Sequence, residues 1–519
     1  MRRSLKWTAA LAITVPALVI SGFLAGSKAP DDAARVFDEV LRRVANDAVD
    51  SIPAAELYEK AARGLVDKLE DPYADLYSPE QLSSFSRNQL GNRYGGLGMQ
   101  IEQQQGTIVI TGVFPNTPAE RGGVQNGDRI VAVDSASAAG WTIDQTSGHL
   151  TGAPGTSVNV TFARAGVTQP IRIDFTRAVI HVPVVPYAVM LDDRIGYIPV
   201  QRFNDESHDE VARSLKQLAG QGARAFILDL RGNPGGSLDE SIAMSNLFLK
   251  PGQSIVDVRY RNQPNAEYHA KEAPVAGDAP VIVLVDGYTA SASEIVAGSL
   301  QDHDRALILG TTSFGKGLVQ SLFPLQGGWG LKMTTGKWYT PSGRSIQRPR
   351  KKGTLIPDST METDSARRAR PAFHSDGGRV VYGGGGITPD VVIQPDTATT
   401  PEQQLLRALA PKSQQTHATL YSYALELRKS VRPDFKVSDT WRDTLYSRLT
   451  SAGVTVDHAK YVAGERVIDR MLEERVASLA FGDSAAFRRS IPEDPQLVKA
   501  IALLHGRRSQ AEVLAAAGH

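Results

Sequence analysis

The chain has 519 residues, of which 41% are hydrophobic and 22% charged, ordinary values for globular protein that argue against disorder along its whole length. Its 57 Lys and Arg residues balance 56 Asp and Glu residues, and a net charge of +1 provides no electrostatic footprint for nucleic acid, so no nucleic-acid partner is expected. The absence of cysteine excludes disulfides, cysteine-ligated metals and a cysteine nucleophile.

The first residues have the layout of an export segment. Arg2, Arg3 and Lys6 precede an uncharged, mostly apolar run of 21 residues over 7–27. A basic start followed by an apolar stretch is typical of a secretory signal, and 21 such residues also suffice to span a bilayer as a helix. Residues 1–27 therefore predict a signal peptide or a membrane anchor. Either one makes the protein exported, periplasmic or otherwise extracytoplasmic, held at the inner membrane if residues 7–27 are retained.

Helical periodicity marks both ends of the remaining chain. Apolar residues recur at helical spacing between residues 31 and 92, which predicts an N-terminal helical region. Residues 401–519 contain few glycines or prolines and predict a C-terminal helical domain. These two regions are the candidate surfaces for a homo-oligomer.

A β-rich module is predicted over residues 93–182. Apolar residues alternate with polar ones in short runs at 107–110, 129–133 and 158–162. Turns rich in glycine separate these runs, as expected for short antiparallel strands. This stretch therefore reads as a small domain of its own.

The segment 183–400 alternates between strand-like and helix-like runs. Uninterrupted apolar stretches at 225–230 and 281–285 are typical of buried strands, and each is followed by a helical pattern. Such alternation predicts an α/β core with a partly parallel sheet. The polar, arginine-containing stretch 350–377 is expected to be a surface insertion in this core.

The strongest chemical signal is residues 286–295, Asp-Gly-Tyr-Thr-Ala-Ser-Ala-Ser-Glu-Ile. A buried strand ends just before it, and a helix is predicted to open around Ser291. A serine at a helix start lies near free backbone N–H groups that can stabilise an oxyanion. Because serine is also a favoured N-cap residue, this segment alone leaves a purely structural role open.

A second signal is residues 311–320, in which Lys316 stands between two glycines. A lysine beside an apolar sheet can lose its proton, because desolvation disfavours the charged form. The neutral amine could then deprotonate a serine hydroxyl, and Gln320 could orient it. By itself this pattern also fits an exposed Gly-Lys-Gly loop.

A third signal is the turn Asp-Leu-Arg-Gly-Asn-Pro-Gly-Gly at residues 229–236. Together the three motifs, in this order, resemble the C-terminal processing peptidases, also called tail-specific proteases, of family S41. The resemblance covers about residues 31–400 and is highly specific. It implies that Ser291 is the nucleophile, Lys316 the general base and Gln320 the residue that positions the lysine, with oxyanion-hole amides from Gly236 and Ala292.

The same resemblance extends to the β-rich module. The segment Tyr-Gly-Gly-Leu-Gly-Met at 94–99 is similar to the carboxylate-binding loop of a PDZ domain, with Gly96, Leu97, Gly98 and Met99 as the substrate-binding residues. A PDZ domain would take a polypeptide by its free C-terminus, the peptide adding as a strand. A glycine-rich hairpin of any β domain is the alternative interpretation.

The resemblance implies a multidomain α/β protein. A PDZ-like module is joined to a crotonase-like α/β Ser–Lys peptidase core, with helical regions at both ends. The expected function is that of a serine endopeptidase that cleaves exported proteins near their C-terminus. Tyr288 departs from the family pattern, which has a small residue there.

Other functions remain as alternatives. A non-catalytic PDZ scaffold on a peptidase-like core is the main one, and an acyl-CoA enzyme of crotonase type is another. The histidine-containing triplets at 208–210 and 302–304 are expected by chance in a chain with ten histidines. No metal or other cofactor is expected, and no Gly-x-Ser-x-Gly or His-Glu-x-x-His motif is present.

Overall fold

The computed structural model describes residues 30–86, 91, 93–104, 106–350 and 362–519. The chain divides into two compact units. The first contains the residues up to Glu70 together with Ala74–Leu76, and the second contains Asp71–Tyr73 and Tyr77–His519. The predicted signal or anchor over residues 1–27 lies outside the described residues. In the part that is described, no helix combines the length and apolar character needed to cross a bilayer.

The first unit contains two amphipathic helices, α1 (Pro30–Asp47) and α2 (Ala54–Asp67). The helical spacing of apolar residues predicted both, and the structure confirms them. The apolar side chains of this unit are nevertheless largely exposed, with Val36 at 61% and Leu65 at 70% of full exposure. Periodicity thus identified the helices but not a buried face.

The structure differs from an all-helical N-terminal region at one place. After Asp71 and Pro72 stop the helical pattern, Asp75–Tyr77 form a short strand, β1. Helix α3 (Pro79–Phe85) then begins, and Ser78 caps it by accepting a hydrogen bond from the Gln81 N–H. A three-residue strand is too short to show a period in the sequence.

Residues 93–181 form the β-module, which is mostly antiparallel sheet. Its elements, in chain order, are β2 (Arg93–Gly96), β3 (Met99–Gln104), β4 (Thr107–Val113), α4 (Pro118–Arg121), β5 (Arg129–Val133), β6 (Ala136–Ser137), α5 (Ile143–Leu150), β7 (Ser157–Ala163), β8 (Ile171–Thr176) and β9 (Ala178–His181).

The main sheet of the β-module has the strand order β3-β4-β5-β7-β8, with the short β6 paired to β5. Alternating residues of these strands, among them Ile108, Ile110, Val158, Val160 and Phe162, fill one buried core. Strands β2 and β9 pair separately as an antiparallel ribbon through which the chain enters and leaves the module. Strand β3 lies at an edge of the main sheet.

The central α/β core follows. Its elements are β10 (Val189–Met190), β11 (Ile195–Pro199), α6 (Ser207–Gly220), β12 (Ala225–Asp229), α7 (Leu238–Asn246), β13 (Ser254–Tyr260), β14 (Ala266–His269), β15 (Val281–Val285), α8 (Ala292–Asp302), β16 (Leu307–Gly310), β17 (Leu318–Pro324), β18 (Gly330–Tyr339), α9 (Asp364–Arg368), β19 (Ala372–His374), β20 (Val380–Tyr382) and β21 (Val391–Val392).

The core sheet has the strand order β10-β11-β12-β15-β16-β21. The pairs from β11 to β21 are parallel, and β10 is antiparallel at one edge. Every residue of β15 is buried, as expected for a parallel strand covered on both faces. The prediction of a partly parallel sheet is thereby confirmed. A second, antiparallel layer contains the pairs β13–β14, β13–β18 and β17–β18.

The C-terminal part of the chain is helical, as predicted. Its helices are α10 (Thr400–Leu409), α11 (Ser413–Leu427), α12 (Asp439–Ser451), α13 (His458–Ala463), α14 (Glu465–Phe481), α15 (Asp483–Ser490), α16 (Pro495–Leu504) and α17 (Gln510–Ala516). The polar stretch 350–377 lies partly outside the described residues, and α9 and β19 lie within its described part.

The two faces of the core sheet are covered by helices from different parts of the chain. Val281, Val283 and Val285 of β15 pack with α6, α7 and α8 on one face. Ile282 and Leu284 pack on the other face with apolar residues of α16 and α17. The last helices of the chain thus complete the core, although the sequence predicts them as part of a separate C-terminal helical domain.

Helix α11 contacts the β-module. The Tyr421 hydroxyl donates to the Ile110 carbonyl, the Gln414 amide donates to the Gln103 carbonyl, and His417 lies 2.9 Å from Glu102. The C-terminal helices therefore contact both the β-module and the core.

Candidate active site

The three sequence motifs meet at one edge of the core sheet. Residues 230–236 follow β12, residues 286–291 follow β15, and residues 311–317 follow β16. These strands are parallel neighbours, so their carboxyl ends lie side by side. Segments that are far apart in the sequence thus form one site.

Ser291 occupies a strained backbone conformation at the start of α8. Its φ is 56° and its ψ is −114°, which is rare for a residue with a side chain. Such a conformation costs on the order of 1–3 kcal/mol and persists only where neighbouring contacts hold it. Strain of this kind is concentrated at functional sites, which favours a catalytic role for Ser291 over simple helix capping.

Asp286 holds the turn that leads to Ser291. Its carboxylate accepts hydrogen bonds from the backbone N–H groups of Tyr288 and Thr289. The same carboxylate accepts from the N–H of Gly232, at 3.0 Å, and so joins this turn to the one after β12. Tyr288, whose bulk departs from the family pattern, points outward with 59% exposure.

Asn233 provides a second link between the two turns. Its carbonyl accepts from the Ala290 N–H and from the Ser293 hydroxyl. Its side chain donates to the Val200 carbonyl and accepts from the Gly235 N–H. Sequence reasoning did not single out Asn233, because these partners, apart from Gly235, lie 33 to 60 residues away.

Two glycines bring the turn after β12 against the turn at residues 286–291, which leads to Ser291. A Cβ at Gly235 would lie 2.8 Å from the Ala292 nitrogen, so these backbones are in direct contact. Gly236 has a φ of 152°, and its backbone runs alongside Phe203. The N–H of Ala292, the first helical residue, has no intrahelical acceptor. The amides of Gly236 and Ala292 are therefore suitably placed to receive an oxyanion.

Lys316 is largely desolvated. Its burial, with the nearby charge of Lys332, lowers the pKa of its ammonium group to about 8, against the opposing effect of Glu294 and Asp71. A lysine with such a pKa is partly neutral near physiological pH. The sequence could indicate this residue, but not its burial.

Gln320 holds the lysine side chain. Its Oε1 accepts a hydrogen bond from Lys316 Nζ at 3.1 Å, and its Nε2 donates to the Tyr73 carbonyl. The ring of Tyr73 lies under the ammonium group, with 4.7 Å from Nζ to the centroid. Tyr73 was missed, because Asp71-Pro72 was interpreted only as a helix stop.

Glu294 connects the segment of Ser291 with the segment of Lys316. The fully buried carboxylate accepts from the backbone N–H of Ser291, at 2.8 Å, and from those of Gly315 and Lys316. It also accepts from the Ser313 hydroxyl. Burial raises the pKa of Glu294. In the sequence Glu294 fits a helix start, and its position three residues into a buried helix is the signal that could have marked it.

The five residues assigned to chemistry share one cavity of about 130 Å³. Gly236, Ser291, Ala292, Lys316 and Gln320 all line it. The other lining residues are apolar: Leu238, Ile295, Leu318, Val319 and Trp338. A hydroxyl, a desolvated amine and free backbone amides thus surround a small apolar space, an arrangement suited to acyl transfer.

A second cavity, of about 850 Å³, lies in the β-module. It runs along the start of edge strand β3 and is closed on the other side by residues of α5. Leu97, Gly98 and Met99, three of the four residues predicted to bind the substrate, line it. Gly96, which pairs with Ala178 of β9, does not, although Arg93, Tyr94 and Gly95 of the same strand do.

The histidine-containing triplets do not form a triad with Ser291. His208 contacts Glu240, and His303 lies at the far end of α8, where it contacts Asp376 and the Ser254 carbonyl. Among the described residues, no group of three or more His, Asp or Glu side chains is arranged to hold a metal ion.

Comparisons with known proteins agree with this architecture. The model of peptidase family S41 matches residues 194–360, and a PDZ-domain model matches residues 109–164. A carboxy-terminal-processing protease of Bartonella bacilliformis is 36% identical over 316 residues, 60% of this chain and 72% of that protein. The carboxy-terminal processing protease CtpA of Bacillus subtilis is 33% identical over 359 residues, 67% of this chain and 76% of that protein.

Among solved structures, a photosystem II D1 C-terminal processing protease is 26% identical, with a TM-score of 0.36 over 72% of this chain and 90% of that one. The sequence relatives and the matched models define a serine-type peptidase that carries a PDZ domain. The chain belongs to peptidase family S41, with the carboxy-terminal processing proteases. The family and the fold class inferred from the sequence are thereby confirmed.

Proposed function

We propose that this protein is an endopeptidase that cleaves exported proteins near their C-terminus through a Ser291–Lys316 dyad. The observation that carries the proposal is the shared cavity, in which a strained serine, a desolvated lysine and two backbone amides converge. A non-catalytic scaffold has no need for a lysine with a lowered pKa beside a strained serine.

The reaction follows from these groups. Neutral Lys316 takes the proton of the Ser291 hydroxyl while the Oγ attacks the scissile carbonyl carbon. The carbonyl oxygen becomes an oxyanion held by the amides of Gly236 and Ala292. When the intermediate collapses, the C–N bond breaks and Lys316 gives its proton to the leaving amine. Water, deprotonated by Lys316, then hydrolyses the acyl-enzyme and frees Ser291.

The cavity also suggests which type of substrate residue precedes the scissile bond. Its free space is small, and Leu238, Ile295, Leu318 and Trp338 make its wall apolar. A small apolar side chain would bury its surface there without displacing Lys316. Charged side chains would lose their hydration without a partner.

The PDZ domain is proposed to capture the substrate C-terminus. The start of β3 lies at an edge of the sheet, where an added strand can pair with it, and α5 closes the groove on the other side. Leu97, Gly98 and Met99 lie where the terminal carboxylate and last side chain would bind. We also place the protein outside the cytoplasm, on the basic and apolar segment before residue 28.

A cleavage assay tests the proposed function. Purified protein is incubated with an unfolded protein that ends in apolar residues, and intact mass is followed. The wild type and Ser299→Ala should cut the substrate near its C-terminus, whereas Ser291→Ala should not. Ser299 is a matched control because it is a buried serine of the same helix outside the cavity.

An amidated copy of the substrate tests C-terminal capture separately. Removing the terminal charge should raise KM and leave cleavage of a saturating substrate intact, because capture precedes chemistry. No cleavage by the wild type, with peptide binding retained, would instead support the non-catalytic scaffold.

The pKa of Lys316 predicts the pH dependence. The neutral amine is the active form of a general base, so kcat/KM should rise with pH, by about tenfold per unit below the pKa, and level off above about pH 8. Single-turnover acylation measured from about pH 6 to about pH 10 gives this profile.

A neighbouring charge provides the control for the pH profile. Lys332 contributes to the lowered pKa of Lys316, so Lys332→Met should move the midpoint of the profile to higher pH. A single-turnover rate that does not change with pH would contradict a lysine base.

A further inference from the structure

Arg231 occupies a central place in the turn after β12. Its guanidinium donates to the Asp229 carboxylate at 2.6 Å, within the same turn. Its Nη1 also donates to Asp494 at 2.7 Å and to Gln496 at 3.0 Å. These two partners are more than 260 residues away, at the start of α16. The turn that carries Gly236 is thus tied to the C-terminal helices.

The end of α16 that contacts Arg231 is itself well fixed. Asp494 is the N-cap residue, and its other oxygen accepts from the N–H groups of Gln496 and Leu497. The Gln496 side chain, which is almost fully buried, also donates to the Ile393 carbonyl. Leu497 and its apolar neighbours pack on the core sheet. The helix start is therefore a rigid anchor rather than a mobile surface.

The Asp229 carboxylate that binds Arg231 accepts a further hydrogen bond. The Tyr197 hydroxyl donates to Asp229 at 2.7 Å, and its ring stacks on Phe487 of α15 with 4.2 Å between centroids. The C-terminal helices therefore support both the guanidinium of Arg231 and the carboxylate that it binds. Arg231 is only 21% exposed, so these pairs are shielded from water.

We infer that Asp494 and Gln496 are positioning residues for the peptidase reaction, acting through Arg231 on the turn that presents the Gly236 amide. The route is short. Arg231 is followed by Gly232 and Asn233, which bind Asp286 and Ala290 of the nucleophile turn. This inference rests on the proposed oxyanion role of Gly236. It assigns a positioning role in the reaction to the C-terminal helices, which the three sequence motifs alone do not.

Asp494→Asn is the variant that isolates this contact. Asparagine is as good an N-cap as aspartate, so α16 keeps its first turn, but Arg231 loses a carboxylate. We expect kcat to fall about 10- to 100-fold, with KM nearly unchanged, because a displaced oxyanion amide weakens the transition state more than the ground state. Affinity for a peptidyl boronate, which mimics the tetrahedral intermediate, should fall with kcat.

Two further variants separate positioning from general stability. Glu493→Gln is the matched control: Glu493 precedes Asp494 but pairs with Arg470 on the surface, so activity should not change. In an Arg231→Gln background, Asp494→Asn should lower kcat no further, because the contact that it removes is already absent.

The outcomes are distinguishable. Unchanged kcat in Asp494→Asn, or a loss of the same size when Arg231 has already been replaced by Gln, would overturn the positioning role. A wild type that neither cleaves nor binds the boronate would instead show the failure of the proposed function itself.

Discussion

Replacing Lys316 with alanine should reduce kcat by about 10²–10⁴-fold, to the limit of detection, while substrate binding is retained. The amine proposed to accept the Ser291 proton and to protonate the leaving group is removed, and none of the other described residues that line the cavity is a base. Binding is expected to persist because the PDZ groove shares no lining residue with the cavity. Steady-state kinetics and fluorescence anisotropy of a labelled substrate peptide measure the two properties.

Lys316→Arg distinguishes a base from a fixed positive charge. Arginine retains the charge but does not deprotonate in proteins, so this variant should be as inactive as the alanine variant. If arginine supports turnover, the residue at this position contributes electrostatic stabilisation, and the dyad proposed here is wrong. Measurable turnover by Lys316→Ala would lead to the same conclusion.

Much of the core could be predicted because its elements have strong local patterns. The strand at 281–285 is a continuous apolar run, and the structure confirms it residue for residue. Helix α8 was placed to within a residue or two, since it directly follows the Ser291 turn. Strand and helix in alternation imply parallel strands, and parallel strands bring the turns after β12, β15 and β16 to one edge.

The contacts that hold the site could not be predicted in this way. Asn233, Asp286 and Glu294 act through hydrogen bonds to segments that are distant in the sequence, and such partners leave no period or spacing to detect. The pairing of Arg231 with Asp494 spans more than 260 residues. Local chemistry thus indicated the candidate reacting groups, whereas the residues that contact and hold them became visible only in the fold.

In the β-module, too, a sequence motif did not reveal which segments are in contact. Gly96 belongs to the motif that resembles a carboxylate-binding loop, yet its backbone is paired with β9 and does not line the groove. A glycine-rich motif indicates a close backbone approach but not which partner approaches. Here the partner of Gly96 is another strand, whereas its chain neighbours Gly95 and Leu97 both line the groove.

Gly236→Ala should reduce kcat by about 10²–10³-fold, the cost of losing one oxyanion donor. A Cβ at this position would lie 1.9 Å from the Phe203 carbonyl oxygen, and the φ of 152° is one that L-residues rarely adopt. The backbone must therefore move, and the amide moves with it. Peptidyl boronate affinity should fall in parallel with kcat, and KM for the substrate should change little.

Gly232→Ala is the matched control in the same turn. Its φ of 70° is also positive, but no atom lies within 4 Å of the added Cβ, so only a backbone cost of roughly 1–2 kcal/mol is expected. That cost should lower the melting temperature and leave kcat near that of the wild type. If both variants lose activity equally, general strain in the turn explains the loss. If Gly236→Ala is as active as the wild type, the oxyanion must be held by other donors than the Gly236 amide.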